Sequence, residues 1–486
     1  MWLEAAHEYQ LEAKQFLLDN AAAGLLLDPG LGKTSITLSA LADLKEQGDL
    51  GRTLIIAPLR VCSMVWPEQL AHWDDFRGLT YTILHGDKKN KLLENDTDLY
   101  IINPEGLEWL SAANKWKNNN GKSQVEVDVR RWKSLGFDRL VIDELSKFKD
   151  IGTIRFKIMK QVLRTFRSRW GLTGSPASNG LLDLFGQAYM LDEGQALGPY
   201  VTYYRRKYFD QNPRNQWDWK IKPDAERQIY DAVQPLMLRI GEDDIPEVQL
   251  PKRVDNLIKV ELPKKFQGMY KLLEKDMIAQ FKGRVVVADT AAIASMKCRQ
   301  VANGGIYYYP GIDKDLGMKP DRSQREVIQL HDAKTDALEE LVEELQGASI
   351  LVGYEFEHDL LRLQKRFRNV PHLGKSVNAR ESNRVKDLWN AGKIPVLFAQ
   401  IASIAHGLNL QGGSCRHVCF YSMIWDFEHY DQFVRRVARQ GNKERRVMVH
   451  HIMAQGTVDE DIYITLKNKG KVQKDFLQAM ALGRDR

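Results

Sequence analysis

The chain has few cysteines, four in 486 residues, which excludes a disulfide framework and predicts a reducing compartment. No apolar run approaches the roughly 20 residues of a membrane-spanning helix. The opening "MWLEAAHEYQLEAKQF" carries acids and no cationic segment ahead of an apolar core, which predicts no signal peptide. No short-period repeat is present, so a solenoid is excluded. Cys415 and Cys419 flank His417, yet no second ligand pair stands at zinc-site spacing, and the alternation of "CRHVCFY" reads as strand rather than metal site. A large excess of one charge is also missing. The net charge of +6 permits a polyanionic partner without demanding one. Finally, the strict phosphate-loop pattern G-x-x-x-x-G-K-[ST] is absent, because Leu27 stands where its first glycine belongs.

What is present meets the physical needs behind that pattern. In "GLLLDPGLGKTSITLSALADL" a buried strand breaks into a turn and continues as a helix with apolar residues at Ile36, Leu38, Ala40, Leu41 and Leu44. A phosphate cradle needs N–H groups at a helix N-terminus, glycines for close approach, a lysine and a magnesium-binding hydroxyl. Gly30, Gly32, Lys33 and Thr34 supply them. Asp28-Pro29-Gly30 alone would be an ordinary turn; Gly-Lys-Thr opening a helix after a strand favours phosphates.

Apolar content of 43% and charged content of 28% are those of a globular protein, and the length predicts two to three domains. Up to about residue 240, apolar strands ending in polar residues ("TLIIAPL", "DLYIINP", "DRLVIDE", "RWGLTGSP") alternate with helical stretches, the pattern of an open α/β sheet with ligands at its carboxyl edge. "NKWKNNNGKSQ" reads as a surface loop. Residues 241–253 form an acidic, proline-bearing linker, and a second α/β series follows with "ASILVGY", "IPVLFAQ", "RHVCFYS" and "RRVMVHHIM" as strands. The expected organisation is an N-terminal lobe over 1–240 with an insertion at about 190–235, the linker, and a C-terminal lobe over 254–486.

"LVIDELS" places Asp143 and Glu144 directly after a strand, where a magnesium-bound carboxylate and a water-orienting carboxylate belong. Acid pairs there also cap helices; with the phosphate loop in the same lobe the catalytic reading is favoured. The hydroxyls of "GLTGSPASNG" either relay nucleotide state or form a tight turn. In the second lobe "YDQFVRRVARQGNK" puts Gln432, Arg436 and Arg439 at spacings of four and three, one face of a helix. The two arginines are either solvated charge or arginine fingers for a γ-phosphate. "YVTYYRRKYF", with Trp217 and Trp219 beyond it, mixes aromatics with Arg205 and Arg206. That composition suits a nucleic-acid backbone and equally a helical protrusion packed on the first lobe.

In this order the segments resemble superfamily 2 helicases, and more closely the Swi/Snf-type, chromatin-remodeller-like double-stranded DNA translocases, in a short form such as phages encode. "HEYQLEAKQFL" resembles the adenine-reading segment, "DPGLGKT" motif I, "APLRVCSMVWPEQLAHW" motif Ia, "INPEGL" Ib, "DELS" the DEAH box, "LTGSP" motif III, "ILVGYEFEHDLLRL" motif IV, "SIAHGLNLQ" motif V and "QFVRRVARQGNK" motif VI. The resemblance implies two tandem RecA-like lobes, each a mainly parallel sheet flanked by helices, with ATP between them. It implies ATP and Mg2+ as cofactors, with Tyr9 and Gln10 at the base, Gly30, Gly32, Lys33, Thr34 and Gly407 at the nucleotide, and Thr34 and Asp143 on the metal. Lys33, Asp143, Glu144, Gln432, Arg436 and Arg439 become the catalytic set, while Arg60, Arg205, Arg206 and Ser403 become nucleic-acid contacts.

The implied partner is double-stranded DNA, with replication or recombination proteins as further candidates and no membrane. The implied location is the cytoplasm of a bacterium or of a phage-infected host, and the work is DNA replication, recombination or repair. Ser146 and Ala438 depart from the family, each standing where a histidine is usual, and Pro29 replaces the common glutamate of motif I. Two rivals stay open, an RNA or single-strand helicase and an inactive nucleic-acid-binding scaffold.

Overall fold

The computed structural model describes residues 1–118, 123–178, 180–213, 215–241, 245, 251–276, 278–281, 284–287, 290–308, 325–404, 408–413, 415–439, 442, 444 and 446–482. The chain divides into two compact units, Met1–Gln249 together with the C-terminal segment from Lys469, and Leu250–Asn468.

The first unit is built on a seven-stranded sheet in the order Met237–Ile240, Ala22–Leu27, Ser168–Thr173, Phe137–Asp143, Arg52–Ile56, Leu99–Ile102, Tyr81–Ile83. Every pairing is parallel. Helices then cover both faces, so the inner strands are largely apolar; Leu25, Leu26, Leu54, Ile55 and Val141 are fully buried. The register sets Leu26 beside Thr173 and Asp143 beside Leu172. The phosphate-loop segment, the acid pair and the "LTGSP" turn therefore leave the sheet at one edge, the carboxyl edge where open α/β sheets carry their ligands.

The second unit repeats the plan with six parallel strands, Lys252–Val260, Arg446–Ala454, His417–Phe420, Ile350–Tyr354, Val396–Gln400 and His372–Leu373. Its core joins Leu338, Val352, Leu363 and Phe398 with a buried ionic cluster. In that cluster Lys334 meets Asp459 at 2.6 Å and Arg362 meets Asp359 at 2.9 Å. Burial opposes the charge on Asp359, yet His358, Arg362 and Ser422 together hold its carboxyl well below the usual range. The stretch read as a surface loop instead forms a hairpin of Asn114–Lys117 with Ser123–Glu126, because antiparallel pairing satisfies the backbone of polar residues as well as apolar ones. Among the described residues no helix is long and apolar enough to cross a membrane.

Candidate functional site

The strand Ala22–Leu27 ends in a loop whose conformation only glycine adopts without strain, with φ of 104° at Gly30 and 85° at Gly32. Gly32 caps the helix Lys33–Glu46, and a Cβ there would come within 2.5 Å of Gln10 Nε2. The first N–H groups of that helix have no carbonyl within it to bond. They face the end of a parallel sheet, the arrangement that binds phosphate. Gln10 Nε2 and Tyr9 Oη both donate to Leu31 O at 3.3 Å. The helix Glu8–Asp19 is thereby tied to the loop. Burial pushes the Tyr9 phenol up to about 12, so it remains a neutral donor. Lys33 Nζ donates to Leu27 O at 2.7 Å and Asp28 O at 3.3 Å, while Thr34 stands half-buried beside it in the first turn.

One contributor escaped the sequence reading. Arg239, on the strand Met237–Ile240, bonds Leu26 O at 2.9 Å and pairs with Asp28 at 3.1 Å, fixing the base of the loop. A charged residue in a four-residue strand 211 positions away gives no local signal.

Asp143 ends its strand half-buried. Burial, then the adjacent charge of Glu144, push its carboxyl up to about 6, while the Trp66 N–H and the Lys33 charge act in the opposite direction. Trp66 Nε1 donates to Asp143 Oδ2 at 2.9 Å. Glu144 occupies a left-handed conformation with φ of 70°, unusual for a residue with a Cβ. Its Oε1 accepts from Thr173 Oγ1 at 2.9 Å and Ser146 Oγ at 3.0 Å. The "DELS" and "LTGSP" segments are thus joined through one carboxylate oxygen. The donor set fits a Mg2+-nucleotide: a glycine cradle at a helix N-terminus, a lysine, a hydroxyl and a carboxylate on one sheet edge.

In the second unit the expected helical face stops short. The helix Phe427–Val434 ends before the arginines, so only Gln432 of the three lies on it. The chain tightens there into three-residue turns, Arg436 N to Phe433 O at 3.2 Å and Val437 N to Val434 O at 3.1 Å, and the guanidinium groups bond elsewhere. Arg436 Nη1 donates to Leu408 O at 2.9 Å and Arg439 Nη1 to Asn409 Oδ1 at 2.7 Å. Both arginines therefore clasp the same segment, and burial lowers the Arg439 pKa. Gln432 is buried and bonds Glu428 Oε1 at 3.5 Å. Ser403 Oγ donates to Gln400 Oε1 at 2.6 Å. Gly407 lies outside the described residues.

Of the expected nucleic-acid contacts, Arg60 follows the strand Arg52–Ile56 at the start of a π-helical stretch, Val61–Val65. Arg205 and Arg206 are on the helix Val201–Tyr208, which packs through Tyr204 and Tyr208. Arg205 lies over the Trp219 ring at 5.7 Å from its centre, whereas Arg206 is exposed. The four cysteines are buried thiols, and His417 Nδ1 meets His450 Nε2 at 3.0 Å.

Comparison with known proteins places these elements in one family. A model described as SNF2-related domain matches residues 9–304, and one described as helicase conserved C-terminal domain matches 333–441. The chain is 32% identical to putative protein p41 of Acyrthosiphon pisum secondary endosymbiont phage 1, over 97% of this chain and 98% of that protein. It is 24% identical to the ISWI chromatin-remodeling complex ATPase ISW1 of Saccharomyces cerevisiae, over 97% of this chain, and 22% identical to the putative ATP-dependent helicase/translocase YwqA of Bacillus subtilis, over 98%. It spans 40% and 49% of the lengths of those two. Among solved structures, the Sulfolobus solfataricus SWI2/SNF2 ATPase core in complex with dsDNA matches at 21% identity, over 97% of this chain and 92% of that one, with a TM-score of 0.42. With both models matched in order and a relative aligned nearly end to end, the chain belongs to the SNF2-related family and is a nucleic-acid-dependent ATPase of helicase superfamily 2.

Proposed function

We propose that the protein is an ATP-driven translocase on double-stranded DNA that serves DNA replication, recombination or repair in the cytoplasm of a bacterium or phage-infected host. The observation that carries the motor reading is the joined carboxyl edge of the first unit, where Lys33 lies in the electrostatic reach of Asp143 and Glu144 is bonded to Thr173. There Gly30, Gly32, Lys33 and Thr34 hold the phosphates of ATP, and Tyr9 and Gln10 flank the base. Thr34 and Asp143 hold Mg2+, which neutralises phosphate charge when bound. Glu144 orients the attacking water, and Gln432, Arg436, Arg439 and Gly407 are the further residues proposed for the ATPase reaction.

The duplex is supported by the names of the relatives, a chromatin-remodelling ATPase and a helicase/translocase. A motor that moves along any sequence grips phosphates rather than bases. Arg60, Arg205, Arg206 and Ser403 are the proposed contacts, with Arg206 on the exposed side of its helix and Arg205 over the Trp219 ring.

Steady-state ATPase rates on duplex DNA, single-stranded DNA and RNA test this. Duplex DNA is expected to stimulate most, and with about six phosphates gripped, raising salt from about 50 to 200 mM weakens binding by roughly 10³-fold. Equal stimulation by RNA, or binding indifferent to salt, refutes the duplex assignment.

A further inference from the structure

Trp66 is fully buried, and its one polar atom is spent on Asp143 Oδ2 at 2.9 Å. The path of the chain delivers it there. Pro67 has no N–H to continue an α-helical ladder, and its ring crowds the carbonyl four residues earlier. The preceding turn is correspondingly widened into the π-helical stretch Val61–Val65, in which Trp66 N bonds Val61 O, five residues back. Such widenings are rare and frequently mark functional sites. The stretch is pinned to the strand it leaves by Cys62, whose N–H bonds Pro58 O at 2.9 Å and whose Sγ bonds Ala57 O at 3.0 Å. Its first cap residue is Arg60.

We infer that Trp66 is a positioning residue for the metal carboxylate. Its indole N–H restrains the rotation of Asp143 through Oδ2 and leaves the carboxylate's other oxygen as the one that would hold Mg2+, and the π-helical stretch joins that carboxylate to the segment bearing Arg60. This rests on the proposed roles of Asp143 and Arg60. A neutral donor on a ligating carboxylate acts as an outer-shell partner, whose loss typically weakens metal binding by about 10–100-fold.

The test is Mn2+ binding, followed by electron paramagnetic resonance, to the full chain saturated with a non-hydrolysable ATP analogue, with and without duplex DNA. Trp66→Phe is expected to weaken Mn2+ binding at least ~10-fold, to leave analogue binding in EDTA nearly unchanged, and to lose any effect of DNA on the metal. Trp132→Phe is the control. Trp132 is equally buried and donates to Thr165 Oγ1 at 3.1 Å, in the same unit but without a bond to the site, so its loss costs stability and spares the metal. If Trp66→Phe fails to fold, site-specific benzothienylalanine at 66 keeps the shape and removes only the donor. Asp143→Asn separates the two claims. Retained Mn2+ binding in that variant overturns the metal role of Asp143. Loss there with wild-type affinity in the position-66 variants overturns the role of Trp66. An unchanged effect of DNA on the metal in those variants overturns the link to Arg60.

Discussion

Replacing Asp143 by asparagine sets the stability of the first unit against its chemistry. The carboxyl is raised from 3.8 to about 6, by burial first and by Glu144 second. An acid whose folded pKa exceeds its unfolded one holds its proton more tightly when folded, so stability falls as pH rises through the window between the two. Below 3.8 there is no penalty. Between 3.8 and about 6 each pH unit removes ~1.4 kcal/mol, and above that window the loss levels off at ~3 kcal/mol. Asparagine keeps the shape and an oxygen for the Trp66 N–H but cannot ionise. Asp143→Asn is therefore expected to stabilise the protein by ~3 kcal/mol at pH 7 and by little at pH 4. For a unit of this size the neutral-pH gain amounts to ~6 °C or more in the unfolding temperature. The assay is differential scanning calorimetry of the full chain in EDTA across pH 4–7, following the transition of the first unit, with ATPase activity expected to vanish. A variant no more stable than wild type at pH 7, or one whose advantage is the same at pH 4, refutes the reasoning.

Lys33→Ala and Glu144→Gln are both expected to abolish turnover but to part in binding. Loss of Lys33 weakens ATP affinity, while Glu144→Gln keeps an oxygen for Thr173 and Ser146, holds ATP and does not hydrolyse it. Phosphate release by Glu144→Gln within a few-fold of wild type contradicts the assignment. Arg436→Ala or Arg439→Ala is expected to lower turnover by ~10³-fold with a much smaller change in ATP affinity. Because each arginine also holds the Leu408–Asn409 segment, the unfolding midpoint is measured alongside. An affinity loss matching the turnover loss argues against the division of labour.

Legibility followed locality. Strands such as Leu99–Ile102 are readable because both faces are covered and the run is wholly apolar. The phosphate loop is readable because its backbone demands glycine at Gly30 and Gly32 whatever lies around it. The strand Lys252–Val260 was missed, and Lys252 and Arg253 were assigned to the linker, since its residues are all exposed or half-buried and no apolar run marks it. The end of the helix at Val434 was hidden too, for the spacing of Arg436 and Arg439 fits a helix equally well and only Leu408 and Asn409 decide against it. The partners that define the site were illegible for the same reason. Trp66 reaches Asp143 across 77 positions and Thr173 reaches Glu144 across 29, distances over which periodicity carries no information.

The acid pair combines two unfavourable terms that the fold sustains together. Asp143 destabilises the folded state by ~3 kcal/mol at neutral pH, and the left-handed backbone at Glu144 costs ~1 kcal/mol more. Against a net stability of ~5–15 kcal/mol for a domain neither is small. The hydroxyls of Thr173 and Ser146, each bonded to Glu144 Oε1, offset the backbone term, since a hydrogen bond to a charged group contributes ~1.5–3 kcal/mol. Ser146 thereby gives a physical account of the residue that stands where the family usually has histidine: a short hydroxyl two positions along restrains Glu144. Trp66, Lys33 and the Glu144 backbone N–H offset the rise at Asp143 only in part, and the rest of its cost is carried by the core beneath it. Leu140, Ile142 and Leu145 surround the end of its strand, all at most 1% exposed. Burial of one such side chain contributes ~1.5–3 kcal/mol, so a pair of them offsets the cost of a half-buried carboxylate at the sheet's edge.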